Sequence, residues 1–107
     1  MTYDQFVSLA KCLPDIVEDG FNVSRGKGWM FSLKPDGSLV IKLDWEAHDS
    51  LLAGDPETFY KTPHYEGYPA LFVRLENLDK TLAAEILKSS WKFAPVKPKS
   101  PRSRGKL

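Results

Sequence analysis

A single cysteine, Cys12, stands in a chain of 107 residues, which excludes an internal disulfide and a zinc site built on thiolates alone. It lies near the end of a helical stretch, and no combined lysine–histidine setting near it in sequence suggests an activated thiolate, so it reads as a structural thiol. No apolar run approaches the ~20 residues that span a bilayer. The opening MTYDQFVSLAKCLPD lacks the basic start and continuous apolar stretch of a signal peptide. The expectation is a cytoplasmic protein with no membrane partner. Ser24-Arg25-Gly26-Lys27-Gly28 is rich in glycine, but it lacks the GK[ST] ending and the spacing of a phosphate loop. It reads as a basic hairpin tip. No residue cluster calls for a cofactor or a metal, and no Ser or Cys is marked as a nucleophile by its context. The sequence therefore holds no catalytic constellation, and a non-enzyme is expected.

What is present is a core and a charge split. Hydrophobic residues make up 42% of the chain, with six Phe, four Tyr and three Trp. That suffices for one compact domain without a covalent staple. The segment Val96 to Leu107 carries Lys97, Lys99, Arg102, Arg104 and Lys106 with no acidic residue, a charge of +5. The other 95 residues carry ten Lys/Arg against fourteen Asp/Glu, a charge of −4. An acidic body at 1–95 and a basic tail at 96–107, expected to be disordered for want of apolar residues, are separate problems.

Thr2 and Gln5 have capping-box spacing, and Phe6, Leu9, Ala10 and Leu13 share a helical face. Pro14 ends this first helix, placed at about Thr2 to Leu13. Ile16 to Val23 reads as one strand, weakened by Gly20. Trp29, Phe31 and Leu33 alternate with Met30, Ser32 and Lys34; Pro35-Asp36-Gly37 turns the chain; Leu39, Ile41 and Leu43 alternate with Val40 and Lys42. Two period-2 runs around such a turn form a β-hairpin. Asp44 caps a second helix in which Trp45, His48 and Leu52 share a face, and Gly54 stops it in left-handed geometry. A short strand at Phe59 to Lys61, a loop from Thr62 to Gly67 and a strand from Tyr68 to Leu75 follow. Asn77 or Asp79 caps the last helix, striped by Leu82, Ala83, Ile86, Leu87, Ser90, Trp91 and Phe93 and ended by Pro95. The predicted fold is a two-layer α+β domain of order α-β-β-β-α-β-β-α. Its antiparallel sheet is covered on one face, bearing Trp29, Phe31, Leu33, Leu39, Ile41, Leu43, Leu71, Val73 and Leu75, by the first and third helices.

The stretches Leu13-Pro14, Ile41-Lys42-Leu43-Asp44, Pro56 through Leu75 (PETFYKTPHYEGYPALFVRL) and Trp91 through Lys97 occur in the order in which the MmcQ/YjbR-like family carries them. Over residues 2 to 97 the chain resembles that family. The resemblance implies a secretion-chaperone-like or CyaY-like α/β arrangement and no established catalysis. It also implies a proposed "double wing" through which sheet and hairpins bind DNA.

Four candidate sites follow. The outward sheet face combines Lys34, Lys42 and Arg74 with Phe72, a pattern suited to phosphate pairing and base stacking; the alternative is a solvated face whose basic stems cover apolar surface. The hairpin tips place Arg25 and Lys27 on one wing, with Lys61 and His64 flanking the other. Against duplex binding stands the body's −4 charge, unless the positive groups are segregated on one surface. The basic tail suits weak, salt-dependent polyanion binding or a solubilising role. His64 and Tyr65 lie in a proline-glycine loop of the kind that often carries ligand groups, although ring packing that fixes the turn explains them as well. His48 reads as a packed histidine. The partners expected are DNA, bound weakly and salt-dependently, or another protein met through Phe72 and the aromatic loop.

Overall fold

The computed structural model describes residues 1–95; the expected disordered tail at 96–107 lies outside the described residues. Helix α1 (Tyr3–Ala10) starts at Thr2, whose side chain accepts from the Gln5 N–H while Gln5 reaches back to the Thr2 N–H. The capping box is complete. The helix ends earlier than Pro14 demands, because Cys12 and Leu13 turn back onto Leu9 and Ala10 through tighter hydrogen bonds.

Strands β1 (Ile16–Asp19), β2 (Asn22–Arg25), β3 (Gly28–Leu33) and β4 (Leu39–Lys42) follow before helix α2 (Trp45–Gly54). The segment read as one strand is thus a hairpin. Gly20 takes a φ of 63°, conformational freedom that a residue without Cβ has, and the chain reverses between Asp19 and Asn22. Strands β5 (Phe59–Tyr60) and β6 (Ala70–Val73) flank a 3₁₀ turn at Pro63–Tyr65, and helix α3 (Lys80–Phe93) closes the domain. Asp44 and Asp79 cap α2 and α3, accepting from Ala47 and Leu82. Gly54 is the last residue of α2 rather than a left-handed stop; Asp55, at φ −144° and ψ 67°, has left helical geometry and ends the helix just before Pro56.

All strand pairs are antiparallel, in the order β1-β2-β3-β4-β6-β5. The fold is the expected two-layer α+β arrangement. One face carries the main core: Phe31, Leu39, Ile41 and Leu71 pack with Phe6 and Ala10 of α1 and Ala83, Ile86 and Leu87 of α3. Each Leu, Ile or Phe side chain so buried contributes roughly 1.5–3 kcal/mol.

Two departures from strict alternation shape the other face. Val23 pairs with Phe31 but Ser24 pairs with Trp29, so Met30 is an extra residue in β3. This bulge moves Met30 into the main core and sends Trp29 to the outward face, exchanging the sides that period 2 assigns them. The outward face is also not simply wet. Val40, Ala70 and Phe72 form a second, smaller cluster under Trp29, Tyr60 and Tyr65.

Gly28 sits where the end of α3 crosses the start of β3. A Cβ there would stand 2.3 Å from the Ala94 carbonyl oxygen. Gly28→Ala is therefore expected to lower stability by about 1–3 kcal/mol, the range for overpacking, read as a lower urea midpoint at unchanged slope. An unchanged midpoint would show that α3 yields freely at this point.

Candidate functional site

The outward face supports a row of rings. Tyr60 on β5 and Phe72 on β6 stand on neighbouring strands, and Trp29 on β3 lies beyond β4 and its Val40, a span of about 14 Å at ordinary strand spacing. Tyr60 stacks on Phe72 with centroids 5.3 Å apart and planes 28° apart. Tyr65 meets Phe72 edge-on at 5.1 Å, brought over the sheet by the 3₁₀ turn that starts at Pro63. Trp29 donates its indole N–H to Ser32 Oγ at 2.6 Å, and Ser32 donates in turn to Asn22, so the ring is held in place.

Beside these rings opens a cleft of about 940 Å³, lined by Lys34, Asp36, Tyr60, Thr62, His64, Tyr65, Tyr68 and Phe72. Its floor is aromatic and its rim is polar, the usual make-up of a ligand site. His64 is exposed and Tyr65 half-buried, so the loop is not simply folded flat into the core. Phe72 is only 6% exposed; Tyr60, Tyr65 and Tyr68, not Phe72, are the rings a ligand meets first.

Five of the six cations singled out in the sequence lie over aromatic rings: Arg25 over Trp91, Lys34 over Tyr65, Lys42 over Phe93, Lys61 over Trp45 and Arg74 over Tyr60. Proteins show roughly one such pair per 70–80 residues, so this clustering sets the character of the surface. Their consequences differ. Lys34, 5.5 Å from Tyr65, lines the cleft, and Arg74, 4.2 Å from Tyr60, lines an adjoining depression that shares Asp36, Ser38 and Tyr60 with it. They hold positive charge beside its rings with little freedom left to lose on meeting an anion. Asp36 is the counter-charge on this rim. The Ser38 hydroxyl and backbone N–H, with Lys34 adding a smaller pull, hold its carboxyl below the ordinary carboxylate range.

The remaining candidates are tied elsewhere. Arg25 donates to the Trp91 carbonyl at 3.0 Å on the helix side of the sheet, while Lys27 is exposed at the tip next to it. Lys61 donates to the Tyr68 carbonyl at 2.7 Å and contacts His48 Nε2 at 2.5 Å. His48 is buried, packed edge-on against Trp45 as its helical face suggests, and its Nδ1 lies 2.8 Å from Asp49. An ammonium donating to Nε2 leaves the proton on Nδ1, facing that carboxylate. Lys61 therefore anchors the cleft-side loop to α2. Residues so distant in sequence carry no local signal of this tie.

Lys42 departs most from the expected open stripe of Lys34, Lys42 and Arg74. It is 9% exposed and donates to the Ala94 carbonyl at 3.0 Å. The end of α3 covers it, a contact between residues far apart in the chain. Burial pushes its amine below the ordinary value of 10.5. Between that lowered value and 10.5 the unfolded chain holds more protons than the folded one, so this group makes stability rise with pH. The stability of wild type minus that of Lys42→Met is thus expected to climb through this alkaline window and to be flat above it. Parallel pH profiles in urea unfolding would contradict the assignment.

Among the described residues no group of His, Cys, Asp and Glu is placed to hold a metal ion, and no helix is long and apolar enough to cross a membrane. Uncharacterized proteins of Mycobacterium bovis and Mycobacterium tuberculosis are 36% identical to this chain over 59 residues. The match covers 53% of this chain and 46% of theirs, so the chain spans about half the length of the curated relatives it matches. No protein-family model matches the chain. No solved structure matches it.

Proposed function

We propose that the outward sheet face binds single-stranded nucleic acid, with unpaired bases entering the cleft beside Tyr60, Tyr65 and Tyr68 and phosphates meeting Lys34 and Arg74. The observation that carries this reading is the pairing of each rim cation with a cleft ring, Lys34 with Tyr65 and Arg74 with Tyr60. Tyr60 is already stacked on Phe72 and covered by Arg74, so bases would stack on Tyr65 and Tyr68, with the cations held against the rings meeting the phosphates that follow. Duplex is the weaker partner. Of the two expected wings, Arg25 is turned onto Trp91 and Lys61 onto α2, which leaves few free cations to straddle a backbone. The acidic charge of the body also repels a polyanion that cannot reach into the cleft. The MmcQ/YjbR resemblance supports the ligand class; the surface argued here is the cleft rather than the wings.

Fluorescence anisotropy with a labelled short single strand and its duplex, over a salt series, tests this. Tighter binding of the single strand, falling as salt rises, is the expected result. No binding at low salt, or equal affinity for duplex, would overturn it. Complete competition by a mononucleotide at comparable concentration would assign the cleft to a single nucleotide instead.

A further inference from the structure

The ammonium of Lys61 ties the cleft wall to α2. Tyr65 and Tyr68 stand on the chain between β5 and β6, where Tyr65, Glu66 and Tyr68 donate their backbone N–H groups to Thr62, Pro63 and Tyr65 of the same stretch. Lys61 reaches outside it. It donates to the Tyr68 carbonyl at 2.7 Å, meets His48 Nε2 at 2.5 Å and lies 5.1 Å from the centre of the Trp45 ring. A carbonyl, an unprotonated ring nitrogen and an aromatic face each favour a cationic donor, and an ammonium has three N–H groups to give. Lys61 therefore keeps its charge here, and Nε2 must supply the lone pair.

That requirement makes the tie depend on a titrating group. The Nδ1 of His48 faces Asp49 at 2.8 Å and holds the neutral ring's one proton. A second proton has to enter at Nε2, and a ring protonated on both nitrogens has no acceptor left. It would then face the ammonium as a second cation in a site only 4% exposed, where like charges this close cannot both persist. The charged groups on the elements that meet here are Asp44, Glu46 and Asp49 at α2, Lys61 after β5, and His64 and Glu66 between β5 and β6. Of these, Asp49 and Lys61 contact the ring nitrogens. Asp49 favours the second proton, but its side chain is 53% exposed and screened by water, and it cannot restore an acceptor at Nε2. Lys61, half-buried on a flexible stem, is the partner that moves.

We propose that His48 and Lys61 are positioning residues for the cleft: while His48 is neutral they latch the stretch carrying Tyr65 and Tyr68 against α2, and protonation of His48 releases it. The open state takes up a proton that the latched state excludes, so acid favours release and the latch is complete on the alkaline side of the ring's titration. That the latch regulates binding rests on the single-strand reading of the cleft; the latch itself needs no ligand.

Amide exchange of the full chain without ligand, followed by NMR from about pH 8 to about pH 5 and corrected for the intrinsic rate, reads the latch. Opening of residues 62–68 should grow by up to about tenfold per pH unit over the range in which the His48 ring nitrogens change their shifts, with α3 unchanged. His48→Gln offers Lys61 an amide oxygen that does not titrate and should keep the stretch closed throughout. His48→Ala and Lys61→Met should leave it open at every pH. Constant protection while the ring takes its proton would overturn the proposal, because Lys61 would then have yielded its own. So would a pH profile that survives in His48→Gln, which would pass the effect to His64. Single-strand anisotropy is measured in the His64→Gln background, since His64 lines the cleft and attracts phosphate directly once charged. Affinity there should fall with acid in step with the opening, and stay level when His48→Gln is added. An affinity indifferent to the opening would overturn the positioning role. Absence of strand binding at every pH would instead overturn the single-strand reading and leave the latch standing on its exchange profile.

Discussion

Phe31→Ala is expected to lower the stability of the domain by about 3–5 kcal/mol, the range for emptying a buried aromatic site. Phe31 is fully buried in the middle of the sheet, between its β2 partner Val23 and its β4 partner Ile41. Its ring meets Phe6 edge-on at 4.9 Å and Tyr3 at 6.3 Å. Pairs of this geometry contribute roughly 0.5–1.5 kcal/mol beyond area burial. Against a total of roughly 5–15 kcal/mol for a small domain, the loss should shift the urea midpoint far down while leaving the slope near that of wild type. The companion variants give the result a second edge. Met30 is fully buried in the main core and Trp29 half-buried on the outward face. Met30→Ala should therefore cost more than Trp29→Ala, although uninterrupted strand alternation puts Trp29 inside and Met30 outside. The reverse order would contradict the bulge itself.

That exchange shows where local reasoning runs out. The Thr2–Gln5 capping box, the Asp44 and Asp79 caps and the turn at Pro35–Gly37 are decided by neighbours a few positions apart, and each forms as its residue types require. A bulge is decided by the partner strand. Nothing within Trp29-Met30-Phe31 announces that Val23 and Ser24 will skip Met30. Lys42 is similar: its alternation places it outward correctly, yet its burial depends on Ala94, which follows α3 and lies against the start of β3 and the end of β4. The hairpin at Gly20 was more accessible, because a glycine inside a strand pattern is itself a turn signal. At the cleft, the basic and aromatic residue types were legible, and so were the faces of Lys34, Phe72 and Arg74. Which ring each cation would lie on was not, since those pairs join the residue after β3 to a loop and the residue after β6 to β5.

Those same pairs make the strongest functional prediction. Tyr65→Ala should weaken single-strand binding by roughly 1–3 kcal/mol, the loss for one base–aromatic stack, or about five- to 150-fold in affinity. Tyr65 also covers Phe72, so Tyr65→Phe serves as the control, retaining the ring and most of the affinity. Lys34→Ala and Arg74→Ala should act differently: each should weaken binding of all sequences alike and reduce the salt slope by about one. Asp36→Asn sharpens the test further. Because Ser38 and Lys34 stabilise its charge, this carboxylate opposes an incoming phosphate, and neutralising it should tighten binding where the other rim changes loosen it. A damaged cleft would bind less in every variant. A rise with Asp36→Asn beside losses with Lys34→Ala and Arg74→Ala can come only from an anion held at this rim. Unchanged affinity across the set would remove the cleft from the binding surface, whatever the chain itself binds.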